Sequence, residues 1–150
     1  VSPSDREAGQ ISILLIGMVA LTLTIIMAVV GVTSVQLSRI QLLDAADAAS
    51  LDASDALAQE QVYDAGVGSG PPVSNDTVVE AAAAHLDRRP MPPRVRSWVV
   101  GSGTGTPDGR TAVVTVTGQA EVPVLSPVLG AFGGGVSITV TSTARSEIDP

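Results

Sequence analysis

From Ile11 to Val32 the chain is apolar apart from Ser12, Thr22, Thr24 and two glycines, and no charged side chain occurs between Glu7 and Arg39. A helix needs about 20 such residues to cross hydrocarbon roughly 30 Å thick. With 150 residues in all, the rest of the chain is too short to enclose so long an apolar helix on every side, because a domain this small builds only one modest core. A secretory signal would have an apolar region of about 7–15 residues ending in polar mature sequence, whereas here the helical pattern continues beyond the apolar run. Residues 11–35 are therefore predicted to form a transmembrane helix, preceded by an N-terminal tail at residues 1–10. Asp5, Arg6 and Glu7 before the span and Arg39 after it nearly cancel in the positive-inside rule, so charge does not set its orientation.

At about 100° per residue, Gly17, Ala20, Thr24, Ala28, Gly31, Val35, Leu42, Ala46, Ala49, Ala53 and Leu57 fall on one face of a continuous helix, with Ser38 bridging the widest gap. Small residues within the span let a second helix backbone approach closely and gain van der Waals contact, which makes this line a candidate helix-packing seam. Beyond the span it becomes alanine and leucine. Asp44, Asp47 and Asp55 lie opposite, with Asp52 at the edge. A helix presents these carboxylates side by side and cannot wrap them around an ion, so they are read as a solvated face and not as a calcium site. Residues 36–62 are accordingly predicted to be an amphipathic continuation of the helix.

Gly66, Gly68, Gly70, Pro71 and Pro72 mark residues 63–76 as a linker. A short helix is predicted from Thr77 to Leu86, capped by Asn75 or Asp76 and stopped before Pro90, Pro92 and Pro93. The period then changes to two. Ala112, Val114, Val116, Gly118, Ala120 and Val122 alternate with mostly polar neighbours, Val136, Ile138, Val140, Ser142 and Ala144 repeat the pattern, and a shorter strand runs from Arg94 to Val100. Thr106-Pro107-Asp108-Gly109 reads as a turn. Three strands in an antiparallel meander need a cover for their apolar face, and the alanine–leucine side of the long helix and the short helix can supply it. The expected class is α+β, a long N-terminal helix followed by a small β-rich domain over residues 77–150. The apolar stretch Pro123–Phe132 is expected either under the sheet or exposed as a contact surface.

Several functions are disfavoured. The net charge is −7 and lysine is absent, so the clustered basic residues of a nucleic-acid footprint are missing. Cysteine is absent as well, and His85, the single histidine, stands among alanines without a second ligand, so it is read as a surface or linker-facing side chain and no metal or other cofactor is expected. Gly101-Ser102-Gly103-Thr104-Gly105 lacks the lysine and the following helix of a phosphate loop and is read as a flexible connection. No base, nucleophile and orienting group can be assembled, which argues against an enzyme.

Arg6-Glu7-Ala8-Gly9-Gln10 leads straight into Ile11-Ser12-Ile13-Leu14-Leu15-Ile16-Gly17, and Arg39 is followed by Leu42-Leu43-Asp44-Ala45-Ala46-Asp47-Ala48-Ala49-Ser50. Over about 60 residues this resembles the Tad (tight adherence, Flp-type) pilus-assembly proteins, in particular the TadE/TadG-like pseudopilins and minor pilins, judged like any motif by its context. The resemblance implies a single-pass membrane protein with its C-terminal domain outside, or a subunit of an extracellular filament. Its implied partners are other pilin or pseudopilin subunits, identical or paralogous, so a homo- or hetero-oligomer is expected. It also implies a processing site between Gly9 and Gln10, although the fifth residue after that point is Leu14, where the cleaved members carry glutamate. The alternative expectation is a membrane-anchored extracytoplasmic binding module, whose helix serves only as a tether.

Overall fold

The structure is a computed structural model that describes residues 3–67, 74–122 and 135–145, with side chains from Gln10 to Gln61 in the first of these segments. Pro123–Phe132 and the central linker glycines and prolines lie outside the described residues. The elements are helix α1 (Pro3–Val67), helix α2 (Asn75–Arg88) and strands β1 (Val95–Val100), β2 (Thr111–Ala120) and β3 (Val136–Arg145). The strands form one antiparallel sheet in the order β1-β2-β3, so the α+β meander expected from the period-two pattern is present.

Helix α1 is one element of 65 residues, about 98 Å long at 1.5 Å per residue. It begins at Pro3 and not after a ten-residue tail, so Gly9 and Gln10 both lie within it. Proline is pre-set for a first helical turn, and one glycine costs only about 1 kcal/mol when good helix formers flank it. At the other end the helix runs to Val67, past the boundary expected at residue 62. Tyr63, Asp64 and Ala65 carry no breaker, and the prolines that forbid continuation come only at 71 and 72.

Why the sheet lies where it does follows from the alanines. Leu42, Ala45, Ala46, Ala49, Ala53 and Leu57 are fully buried, and together they form a low ridge that lets the backbone of β2 come close. Four contacts fix the direction. A side chain at Gly31 would meet Val122, Gly118 lies against Leu42, the Ser50 hydroxyl is 3.3 Å from that of Ser142, and Gln61 Nε2 donates to the Gly109 carbonyl at 2.6 Å. Because Ser142 pairs with Val114, the sequence 31, 42, 50, 61 on α1 meets 122, 118, 114, 109 on β2 and its turn. Thirty helical residues and thirteen extended ones both span about 45 Å. The strand therefore lies lengthwise beside the helix, running the opposite way. Val114, Val116, Ala112, Ala120, Ile138 and Val140 complete this core.

Helix α2 adds Val78, Ala82 and Leu86, one buried face at a spacing of four. Its N-cap position is held by Ser74, which makes no side-chain cap bond, and not by Asn75 or Asp76. The Asn75 carboxamide is turned instead to the loop before β2, where Oδ1 accepts from the Thr106 N–H at 2.8 Å. That loop is not the flexible connection its glycines indicate. Gly105 and Val113 exchange backbone bonds of 2.9 and 2.8 Å, and Thr104 Oγ1 accepts from the Thr115 N–H at 3.0 Å. A Cβ on Gly105 would stand 2.5 Å from Asn75 Oδ1, so a glycine is required there for close approach.

The turn before β2 is held by Asp108, whose carboxylate accepts from the N–H groups of Arg110 and Thr111 and from the Thr111 hydroxyl at 2.6–3.0 Å, with Gly109 at φ 71°. These bonds hold the carboxyl below its ordinary value of 3.8, the Arg110 amide contributing most and then the Thr111 amide. A depressed carboxyl stabilises the fold at neutral pH and loses that contribution as pH falls through its folded value. The stability difference between the wild-type chain and Asp108→Ala is thus expected to be constant above the unfolded range and to shrink toward zero on acidification below 3.8. Hydrogen exchange at the Thr111 amide, followed against pH in detergent, measures it.

Candidate functional site

Two surfaces stand out from the residues upward, the bare half of α1 and the seam between α1 and α2. From Ile11 to Val32 the large apolar side chains are 44–73% exposed, and none of the most apolar stretch of α1 is buried within the chain. A contiguous apolar surface of this length has to be covered by lipid or by other helices. The helix is long and apolar enough to cross a membrane. Its polar atoms are settled internally. Thr22 Oγ1 donates to the Met18 carbonyl and Thr24 Oγ1 to the Ala20 carbonyl, each at 2.8 Å, while Thr33 Oγ1 donates to the Val29 carbonyl at 2.9 Å. These hydroxyls need no partner from outside.

The predicted packing line divides at Gly31. Gly17, Ala20, Thr24 and Ala28 are exposed, and a Cβ on Gly17 would meet nothing within 4 Å. Gly31 is buried against Val122, Val35 is half-buried, and Ser38, Leu42, Ala46, Ala49, Ala53 and Leu57 are buried under the chain's own sheet and α2. One face of one helix is thus buried along one half and bare along the other. Its outer half is filled intramolecularly, and only the half within the apolar stretch is open to a second helix.

The acidic face also divides. Asp47 and Asp55 are exposed, as a solvated face requires. Asp52 instead accepts from His85, with Nδ1 and Oδ2 2.6 Å apart, and Arg88 stands 3.5 Å from the same carboxylate. Asp44 pairs with Arg89. His85 is therefore a correction to the sequence reading: its side chain is only 19% exposed and locks the end of α2 to α1. Ion pairs this exposed contribute about 0–1 kcal/mol each, so they fix the placement of α2 more than the stability of the fold. The acidic spacing of eight on α1 and the adjacent Arg88 and Arg89 could have signalled this pairing, had α2 been laid antiparallel on α1.

A histidine oriented by a carboxylate is half of a general-base device. His85 Nε2, however, has no hydrogen-bond partner among the described residues, so none of these supplies a nucleophile beside it. Among the described residues no group of three or more His, Cys, Asp or Glu side chains could hold a metal ion. The outer sheet face presents threonines in cross-strand pairs, Thr115 with Thr141 at 3.1 Å and Thr117 with Thr139 at 3.0 Å. Such pairs stabilise a sheet and carry no chemistry of their own.

Comparison with known proteins falls on α1. Residues 9–60 match the model of the Tad family, described as Flp pilus-assembly TadE/G-like. No curated protein and no solved structure matches the chain. The match takes in Gly9–Gly17, Arg39 and Leu42–Ser50, on which the resemblance rests, but not Arg6, Glu7 and Ala8.

Proposed function

We propose, from the pilus-assembly family matched by α1, that this chain is a structural, pilin-like or pseudopilin component of a Tad-type or related pilus or secretion filament, and not an enzyme. The single observation that carries the reading is the exposed apolar half of α1, joined without a break to a half that holds its own domain. In this reading the chain spans the cell membrane once with its domain outside, or leaves it for an extracellular filament. Its partners are other pilin or pseudopilin subunits, identical or paralogous, packed along Gly17, Ala20, Thr24 and Ala28.

Gly17→Leu combined with Ala28→Leu tests that line. Among the described residues neither position packs against another part of the chain, and leucine is a better helix former than glycine, so the fold is preserved and the effect is confined to helix–helix contact. Co-purification with partner subunits and filament yield are expected to fall at least about tenfold, the equivalent of roughly 1.4 kcal/mol of lost packing. Unchanged assembly refutes the packing line.

Electron microscopy of surface-sheared material, with intact-mass analysis of the sheared and membrane fractions, tests the function as a whole. Regular filaments composed mainly of this chain support a filament subunit, and the mass reports cleavage between Gly9 and Gln10. Presence only in membranes, uncut and without filaments or co-purifying pilins, overturns the filament reading in favour of a tethered module.

A further inference from the structure

The lengthwise packing of β2 on α1 sets the height of the sheet above the apolar stretch. Gly31, at the end of that stretch, is level with Val122, and Leu42 is level with Gly118. Ile11 to Gly31 is about 30 Å of helix, the thickness of a hydrocarbon core. With that segment in a bilayer, the lower rim of the domain has no stalk beneath it and rests in the headgroup layer.

The charges on this rim differ from those above it. The Glu121 N–H donates to the Arg94 carbonyl at 2.7 Å, which places Arg94 beside Val122, and Arg96 pairs with Glu121 at 2.8 Å. Arg39 lies on α1 between Gly31 and Leu42. Among the described residues the rim therefore carries three arginines against one glutamate. Above it, the residues with described side chains carry nine carboxylates against four arginines. Arg39 and Arg94 are exposed, and neither guanidinium has an ion-pair partner among the described residues. In a chain of net charge −7, these two cations thus stand in the layer where its apolar helix meets the membrane surface.

We infer that this rim is a binding surface for anionic lipid headgroups, with Arg39 and Arg94 contacting their phosphates and Arg96 held alongside by Glu121. Arginine suits the role because its planar guanidinium donates two parallel bonds to a phosphate, and its stem lies along apolar surface while the charge reaches the headgroup. Exposed Leu37 and Ile40, on either side of Arg39 and 41% and 63% exposed, lie in the same layer. The inference rests on the membrane-spanning reading of α1.

The test uses the full chain reconstituted in phosphatidylcholine bilayers that contain spin-labelled phosphatidylglycerol or spin-labelled phosphatidylcholine at trace level. The fraction of each lipid slowed by the protein is read by electron paramagnetic resonance. The anionic lipid is expected to be selected over the zwitterionic one by at least about twofold in low salt, with the preference falling as salt screens the contact. Arg39→Gln with Arg94→Gln is expected to abolish the selection while leaving the slowed phosphatidylcholine fraction unchanged. Equal slowing of both lipids by the unaltered chain overturns the headgroup surface and leaves the span intact. No slowing of either lipid overturns the span itself and the surface with it.

Discussion

Leu42→Ala is expected to cost about 2–5 kcal/mol, Gly118→Val about 1–3 kcal/mol, and the two together less than the sum of the separate losses. The reason is a single close approach. A Cβ built on Gly118 stands 2.7 Å and 2.9 Å from the two Leu42 methyl carbons, and Leu42 is fully buried. Adding bulk at Gly118 pushes the sheet away from α1, whereas truncating Leu42 leaves a cavity at the same spot. Combining them lets the new side chain fill the space vacated, a coupling of about 0.5–3 kcal/mol between neighbours. Trp98 pairs with Gly118 across the sheet and is the only tryptophan, so its fluorescence during denaturation in detergent reports the site directly. Strictly additive losses would mean that the helix and sheet do not meet there.

Leu21→Asp with Ile25→Asp is expected to remove the chain from the membrane fraction. Both residues are more than half exposed on α1, in the stretch of which none is buried within the chain. Each aspartate near the middle of a span adds roughly 3 kcal/mol to the cost of insertion. Extraction with alkaline carbonate separates the outcomes: an inserted chain stays in the pellet, and the double variant is expected in the supernatant. Retention of the variant in the pellet would show that lipid is not what covers this half of the helix.

How much of this was legible in the sequence depends on the range of the interaction. Short-range chemistry was readable. The uncharged run to Val32, the alternation in β2 and β3, and the prolines after Arg89 each act through neighbours in the chain, and each is matched by an element. The alanine–leucine line from Leu42 to Leu57 was legible as a buried face, and so was the sheet as its cover. What the residues could not disclose was the height at which the sheet sits, because that depends on the pairing of Gly118 with Leu42 across more than seventy residues. The partners of Asp52, Asp44 and Asn75 were hidden for the same reason. Asn75 looked like a cap because caps are local, yet its carboxamide is taken by Thr106, which a loop from the far side of the sheet delivers. At the site the small residues Gly17 to Ala28 were legible, but not that the same line beyond Gly31 is already occupied.

The lengthwise seating of β2 on α1 also has a mechanical side. Between Ser4 and Val67 there is no proline, so a pull on the N-terminal end of α1 passes along one stiff rod without a hinge. The sheet is attached along that rod over about 45 Å, from Gly31 and Val122 to Gln61 and Gly109. A load along the axis therefore acts on the whole seam at once, in shear, and does not peel it from one end. Tension between the apolar end of α1 and the domain would be shared by every layer of the core, from Leu42 to Leu57, before any one of them gave way.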